Sequence, residues 1–388
     1  MIDYNVVYVV VWGLAFISML TERDQEKYIF YMQVLILALF LALKFETGYD
    51  WPVYEAHFLQ VSAGGEFYLA FEVGYEFLVL IFSYMGFEFH QFVGFINIIG
   101  ILLIASSVRY FFPKYSIWLM ALLYALPDFY LIPSFSLVRQ ALAASLFLYG
   151  LRCFAGNRHI FAWGLFALAI SMHYSVVGAL FLLLLILRVK LSRNVFAVFF
   201  VAALTLYLLS IDIVRSFAEI LIHIFNPKYM IYLDKDVYNA SMIYRVVYAT
   251  VSTLVFGLIY ISWGKRLIDD QHFERWGAAI YRLAMLGVLI PLVVYGFPTF
   301  STRYQYFFCF FTLGVGLSVL GLFKARDRLI VMVATCLISY IPFYRFLTNP
   351  LSIVYIPYQS QFFYDKQNST GQQRTDDLLN QLDILWSK

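Results

Sequence analysis

The sequence predicts an all-α protein that crosses a membrane many times. Of its 388 residues, 62% are hydrophobic and only 13% are charged. A soluble domain of this size needs more polar surface than such a composition provides. The apolar runs recur, and most are long enough to cross the roughly 30 Å hydrocarbon core of a bilayer.

About twelve crossings can be placed on the apolar runs, counting residues 160–187 as two. The run at 77–86 is too short to cross and suits a re-entrant or interfacial helix. The predicted spans are 4–20, 28–45, 92–108, 115–131, 136–151, 160–187, 195–211, 246–263, 278–295, 307–322 and 329–346.

The run from 160 to 187 is interpreted as a hairpin with His173 near its tip. One straight helix of this length would measure about 42 Å, which is long for a single crossing. Basic residues also flank both ends, and one crossing would place one of these clusters outside, against the positive-inside tendency. A hairpin keeps both clusters in the cytoplasm.

The resulting topology places both termini outside and the short basic turns inside. We expect one integral membrane domain over residues 1–366, with outward-facing loops at 46–76 and 212–243. Residues 367–388 form a polar external tail. The bilayer is thus the first expected partner, and no nucleic-acid partner is expected.

Unusual polar residues collect on the outer side of this topology. Arg139 lies roughly 20 Å along a helix from the basic turn at Arg152, and His173 lies roughly 22 Å from the basic residues on either side of it. The two therefore lie at about the same depth. Charged and ionisable residues are costly in lipid, so each is a functional-site hypothesis. Asp50, Arg303 and Arg245 fall on the same side.

Converging arginines suit a diphosphate, because guanidinium groups bind phosphate oxygens bidentately and stay charged. Asp50 adds a carboxylate that can act as a general acid or base. Each residue also has a structural interpretation. Arg139 can pair with a carbonyl at a helix end, and His173 can cap backbone carbonyls at its turn. Asp50 can form a turn, and Arg303 can anchor the chain at the interface.

Several other chemistries find no support in the sequence. It lacks a glycine-rich phosphate loop, a His-Glu-x-x-His motif and a cysteine pair with metal-ligand spacing. The three cysteines are far apart and lie in or beside apolar runs. We therefore expect neither a metal nor a cofactor. Carboxylates are nearly absent from the spans, which lowers the case for an ion-coupled transporter.

The order of several short segments resembles that of EpsG-type membrane polysaccharide polymerases, relatives of the Wzy O-antigen polymerases. Two positions differ from the family pattern, since Val73 replaces a proline and Trp51 replaces a tyrosine. The segments are Gly48-Tyr49-Asp50-x-x-x-Tyr54, Glu72-Val73-Gly74-Tyr75, Leu137-Val138-Arg139-Gln140, His173-Tyr174-Ser175, Thr302-Arg303-Tyr304 and Ile356-Pro357-Tyr358.

The resemblance implies a glycosyltransferase of the bacterial inner membrane, with a GT-C-like helical architecture and an active site facing the periplasm. Its substrates would be undecaprenyl-diphosphate-linked oligosaccharides of an O-antigen, capsule or exopolysaccharide, and a chain-length regulator protein is a further expected partner. The implied catalytic residues are His173, Arg139 and Asp50. Arg139, Arg303 and Arg245 would bind the diphosphate, and Tyr49, Gln140 and Tyr304 would position the acceptor.

Two other function classes stay open from the sequence. An O-antigen ligase would need the same cations but would use a different acceptor. A flippase or transporter for lipid-linked oligosaccharides would need no chemistry.

Overall fold

The computed structural model describes residues 2–64, 70–216, 241–268, 276–362 and 369–386. These residues are mostly helical and contain no strand, so the all-α prediction is confirmed. Five helices are long and apolar enough to cross a membrane, and several shorter apolar helices accompany them. Most of the predicted outward-facing loop at 212–243 lies outside the described residues.

The chain divides into two compact units, Met1–Val176 with Leu329–Lys388, and Val177–Arg328. The helices of unit 1 are α1 Ile2–Ser18, α2 Arg23–Ala42, α3 Trp51–Ser62, α4 Val73–Tyr84, α5 Phe89–Phe111, α6 Ser116–Ala125, α7 Leu131–Phe135, α8 Val138–Ala155 and α9 His159–Met172. The next helix, α10 Ser175–Arg188, begins in unit 1 and lies mostly in unit 2. Unit 2 continues with α11 Arg193–Leu208, α12 Met242–Lys265, α13 Gly277–Val293 and α14 Pro298–Ser318; the chain then returns to unit 1 with α15 Ala325–Thr348 and α16 Gly371–Trp386.

The structure differs from the sequence prediction at residues 115–131. The run is broken into α6 and a 3-10 turn at Pro127–Phe129, and the 10 residues of α6 span about 15 Å, too short to cross a bilayer. All of its residues are buried, so it lies inside unit 1. The helix ends before Pro127, and Leu126 adopts an extended conformation (φ −106°, ψ 96°). A proline restricts the residue before it in this way, and a hydropathy count does not register the effect.

Two other expectations agree with the helix bounds. The short run at 77–86 falls mainly in α4, whose 12 residues span about 18 Å and cannot cross the bilayer. The run at 160–187 is broken where the hairpin interpretation placed its tip, because α9 ends at Met172 and α10 begins at Ser175.

Small residues and hydroxyls let the helices pack closely, as is usual in membrane proteins. In unit 1, Gly150 of α8 lies against the Phe166 ring of α9. In unit 2, the Thr312 hydroxyl of α14 donates to the Ala284 carbonyl of α13 at 2.9 Å. The Ser262 and Ser318 hydroxyls lie 2.6 Å apart and join the carboxyl ends of α12 and α14. These two helices therefore run parallel.

The loop between α2 and α3, residues 43–50 and called the first loop, is held by the carboxyl-terminal part of the chain. The Gly48 amide donates to the Val354 carbonyl at 3.0 Å. Arg374 of α16 is buried and donates to the Glu46 carbonyl at 2.5 Å and the Pro357 carbonyl at 3.0 Å. The polar tail therefore includes a helix docked on this loop. Whether it lies outside the membrane stays a prediction.

The same loop also fixes the turn before α8. Lys44 is buried, and its ammonium group donates to the carbonyls of Ser134 at 2.5 Å and Phe135 at 3.0 Å. The Tyr49 amide donates to the Ser136 hydroxyl at 3.0 Å. Because α8 begins two residues after Ser136, these bonds set the position of its amino-terminal end.

Gly48 is required where this loop meets that turn. Its φ is +115°, and an added Cβ would lie 2.4 Å from the Phe135 carbonyl oxygen. We expect Gly48→Ala to lower the free energy of unfolding by on the order of 1–3 kcal/mol, read as a lower Tm of the detergent-solubilised protein. Gly64→Ala is the control, because Gly64 also has a positive φ (+73°) but an added Cβ there meets open space. Equal Tm values for the two variants would contradict this role for Gly48.

Candidate functional site

Arg139 lies in the first turn of α8 and is the centre of a polar cluster in unit 1. Its Nε donates to the Tyr54 hydroxyl at 3.1 Å, and its Nη1 donates to a Glu72 carboxylate oxygen. The Arg139 and Glu72 side chains are 19% and 9% exposed to solvent. The Arg139 charge, which the sequence analysis predicted within the membrane, is therefore paired with the Glu72 carboxylate.

Three aromatic rings surround the Arg139 guanidinium. Its central carbon lies 4.3 Å from the ring centroid of Phe71, 5.4 Å from that of Tyr54 and 5.9 Å from that of Tyr75. The three rings also contact one another, with centroids 5.2–5.7 Å apart. Each ring face attracts the cation, and the effect is larger where water is excluded.

A buried His57–Glu76 pair supports this aromatic wall. His57 Nε2 and a Glu76 carboxylate oxygen lie 2.8 Å apart, with side-chain exposures of 5% and 1%. The other Glu76 oxygen accepts the backbone amide of Phe71 at 2.8 Å. The pair therefore fixes Phe71, whose ring lies nearest to Arg139.

Asp50 is half-buried at the residue before α3. Burial raises the pKa of the Tyr54 hydroxyl, Arg139 opposes the shift, and the Asp50 carboxylate adds to it. Asp50 therefore acts electrostatically on the same hydroxyl that binds Arg139. The cluster contains one guanidinium and two carboxylates, whereas the sequence had indicated that cations dominate.

The segment that carries Glu72 also contacts the end of α9. An added Cβ on Gly74 would lie 2.2 Å from the Ser171 hydroxyl oxygen and 2.8 Å from the Met172 terminal methyl. Any larger residue at this position would push α4 away from α9. Gly74 is two residues from Glu72, and Met172 directly precedes His173. This contact links the Arg139 cluster to the His173 turn within unit 1.

His173 caps the first turn of α10 through its own ring. Its Nδ1 accepts the Ser175 backbone amide at 3.1 Å and lies 2.8 Å from the Ser175 hydroxyl oxygen. Because Nδ1 accepts an N–H, the proton of a neutral ring is assigned to Nε2. His173 therefore presents a hydrogen-bond donor on its other side. The structural interpretation of His173 was a cap on backbone carbonyls, whereas the backbone group bonded to Nδ1 is an amide.

The two predicted positioning residues of unit 1 lie close to this cluster in the chain. Tyr49 is half-buried, directly precedes Asp50 and is held through its amide by Ser136. Gln140 is almost completely buried in the first turn of α8, next to Arg139. The structure thus gathers Asp50, Tyr49 and Arg139 around one loop and one helix end.

Arg245 and Arg303 lie at the same end of unit 2. Arg245 precedes Ser262 by about 26 Å along α12, and Arg303 precedes Ser318 by about 22 Å along α14. Since Ser262 and Ser318 are hydrogen-bonded and the helices run parallel, the two arginines lie at similar levels. Both are half-buried.

Tyr304 borders an apolar cavity of about 680 Å³ within unit 2. Its hydroxyl faces Gly178 of α10, where an added Cβ would lie 2.2 Å away, and its ring lies 4.3 Å from that of Phe300. The cavity wall is otherwise made of aliphatic and aromatic side chains from α10, α11, α13 and α14.

The sequence analysis gave no role to several residues of the cluster or to the His57–Glu76 pair that supports it. Glu72, Tyr54 and Tyr75 were noted only as parts of short segments, and Phe71, His57 and Glu76 were missed. Two signals were available. Glu72 and Glu76 stand four residues apart, one helical turn, at the start of an apolar run. The buried positions Trp51, Tyr54, His57 and Phe58 also follow a helical period.

Within the described part of the chain, no group of three or more His, Cys, Asp and Glu side chains is arranged to hold a metal ion. The chemistry available in the cluster is that of one paired guanidinium, two carboxylates, tyrosine hydroxyls and an imidazole donor.

Comparison with known proteins gives one match. A family model described as the EpsG family matches residues 27–360, which is most of the chain and contains all the residues of this cluster. No curated protein and no solved structure matches.

Proposed function

Because this chain belongs to the EpsG family, a family of membrane polysaccharide polymerases, we propose that it polymerises undecaprenyl-diphosphate-linked oligosaccharide repeat units of a surface polysaccharide. In this proposal it acts at the periplasmic face of a bacterial inner membrane. The observation that carries the proposal is the Arg139 cluster. Segments far apart in the chain but ordered as in the polymerases bring Asp50, Glu72 and Arg139 together at one helix end.

The proposed reaction exchanges one bond at an anomeric carbon for another. A sugar hydroxyl of one lipid-linked unit attacks the anomeric carbon of the growing chain, forming a new C–O bond. The bond from that carbon to the lipid diphosphate breaks, and its electron pair leaves on the diphosphate oxygen. The hydroxyl proton passes to a base. Catalysis therefore needs donors for the departing charge and a base near the acceptor.

Arg139 can bind the departing diphosphate while it stays paired with its counterion, Glu72. Its Nε and Nη1 are engaged by Tyr54 and Glu72, and the described contacts leave Nη2 for a ligand. Glu72 then holds the guanidinium plane in one orientation before substrate arrives, which reduces the entropy lost on binding. The assignment of Arg303 and Arg245 of unit 2 to the diphosphate stays a prediction from the sequence.

His173 and Asp50 have different roles in the transfer of protons. His173 holds its proton on Nε2, so we assign it as a hydrogen-bond donor to an oxygen that gains charge. The Asp50 carboxylate acts electrostatically on the Tyr54 hydroxyl, and we assign it as the base for the acceptor hydroxyl. Tyr49 and Gln140 of unit 1 position the acceptor in this scheme, and the assignment of Tyr304 of unit 2 to the acceptor stays a prediction from the sequence.

The apolar cavity of unit 2 suits part of the polyprenyl chain. Its wall offers almost no polar atoms, and Tyr304 at its border directly follows Arg303. A diphosphate bound at Arg303 would therefore have an apolar channel beside it for the lipid.

A cell lacking the protein distinguishes the proposed function from its alternatives. Loss of a polymerase leaves single repeat units on the final acceptor, which run as one band on a gel of the surface glycan. Polymer retained on the carrier lipid would identify a ligase instead, and units trapped in the cytoplasm would identify a flippase. Either of these two outcomes contradicts the proposal.

The role of Arg139 is tested by Arg139→Lys. Lysine keeps the charge but cannot bind Tyr54, Glu72 and a phosphate oxygen in one plane. We expect polymer formation to fall on the order of 10²-fold, nearly as far as in Arg139→Ala. The variant Arg326→Lys, at an exposed position, is the matched control. Normal polymer from a folded Arg139→Lys protein would show that Arg139 acts only as a charge at the helix end and does not bind the diphosphate.

Two variants separate the roles of His173. Asn places an oxygen near the position of Nδ1 and preserves the cap on Ser175, whereas Gln places an N–H near the position of Nε2. If His173 donates to substrate, His173→Asn should lose polymer on the order of 10²-fold, and His173→Gln should retain more activity. Both proteins must insert at wild-type levels. Normal polymer from His173→Asn would leave the histidine with its capping role alone.

A further inference from the structure

A cavity lined by two arginines lies at the opposite end of unit 1 from the Arg139 cluster. It has a volume of about 430 Å³ and lies between α2, α5 and α8. Arg152 lines it and is on the same helix as Arg139, roughly 20 Å further along. Its lining includes Phe30, Tyr31, Leu102, Ser106, Arg109 and Arg152.

The two arginines of this cavity have no carboxylate partner among the described residues. Arg152 donates through Nη1 to the Ser106 hydroxyl, which carries no charge. Arg109 has a buried Nη1 atom for which the described residues provide no hydrogen-bond acceptor. Two like charges beside one half-buried cavity repel each other more strongly than they would in water. An anion bound between them would remove this repulsion and satisfy the buried donor.

Aromatic rings fix both guanidinium groups. The central carbon of Arg109 lies 5.0 Å from the Tyr31 ring centroid and 5.7 Å from that of Phe30. The central carbon of Arg152 lies 5.2 Å from the Tyr149 ring centroid and 5.5 Å from that of Tyr110. Rings over the guanidinium faces leave the N–H edges for an acceptor. This is the arrangement that suits tetrahedral phosphate oxygens.

We propose that this cavity binds the phosphate of an anionic phospholipid. The mouth of the cavity is apolar as well as basic, since Tyr31 and Leu102 are 57% and 51% exposed. A free phosphate ion would gain nothing from these side chains, whereas acyl chains would cover them. Basic pockets between transmembrane helices commonly hold anionic headgroups in this way.

The proposed site is independent of the polymerase reaction. The Arg139 end of α8 has Glu72 as a counterion, whereas the Arg152 end has no carboxylate and therefore requires an external anion. A lipid held there would join α2, α5 and α8 at the end remote from the Arg139 cluster.

The test measures lipid binding to the full-length purified protein. Phosphatidylglycerol and phosphatidylcholine are added to the protein in neutral detergent, and bound lipids are counted by native mass spectrometry while Tm is followed in parallel. We expect phosphatidylglycerol to raise Tm and to remain bound in preference to phosphatidylcholine. In the double variant R109Q/R152Q the affinity for phosphatidylglycerol should fall on the order of tenfold or more.

The control variant K114Q/R158Q removes the same charge from exposed positions near the same helix ends, and it should retain the wild-type preference. If R109Q/R152Q does not fold, R109K/R152K replaces it, because lysine keeps the charge but loses the planar fork. Binding of phosphatidylglycerol to either arginine variant at wild-type affinity overturns the proposal. A third arm adds inorganic phosphate alone, and a stabilisation equal to that of the lipid would overturn the lipid assignment.

Discussion

The ion pair between Arg139 and Glu72 is the interaction on which the arrangement of unit 1 depends. A guanidinium at the end of an apolar helix is stable only if a counterion and hydrogen-bond acceptors accompany it. Here they come from two other helices, Tyr54 of α3 and Glu72 at the start of α4. Both helices lie in the chain between α2 and α5, and the Arg139 side chain holds this connection against α8.

The pair requires a well-positioned helix end, and the first loop provides it. Lys44 and Ser136 fix the turn before α8, while Arg374 of the last helix fixes the loop from its other side. These bonds end on backbone carbonyls and hydroxyls, groups that would otherwise be buried without partners. The carboxyl-terminal helix therefore supports the same helix end as the loop that carries Asp50.

The fold class and the larger elements were predictable, because long apolar runs report helices directly. The break at His173 also followed from length and charge. The ten-residue α6 was not recognised, since hydropathy cannot separate a buried helix from a crossing one. In the cluster, Arg139, Asp50 and His173 were found as unusual polar residues in an apolar chain. Glu72 was not assigned to Arg139, because no local pattern reports a contact between residues 67 positions apart.

The pairing of Arg139 changes what the arginines can be expected to do. The Asp50–Glu72–Arg139 cluster does not carry net positive charge when its carboxylates are ionised, so it is a poor trap for an anion at long range. Its value is orientation, since a guanidinium already fixed by Glu72 and three rings need not be ordered again when a phosphate arrives. Arg109 and Arg152 are fixed by rings but not neutralised, which favours lasting occupancy by an anion. The Glu72 carboxylate thus distinguishes the site proposed for catalysis, at Arg139, from the site proposed for a bound lipid, at Arg152 of the same helix.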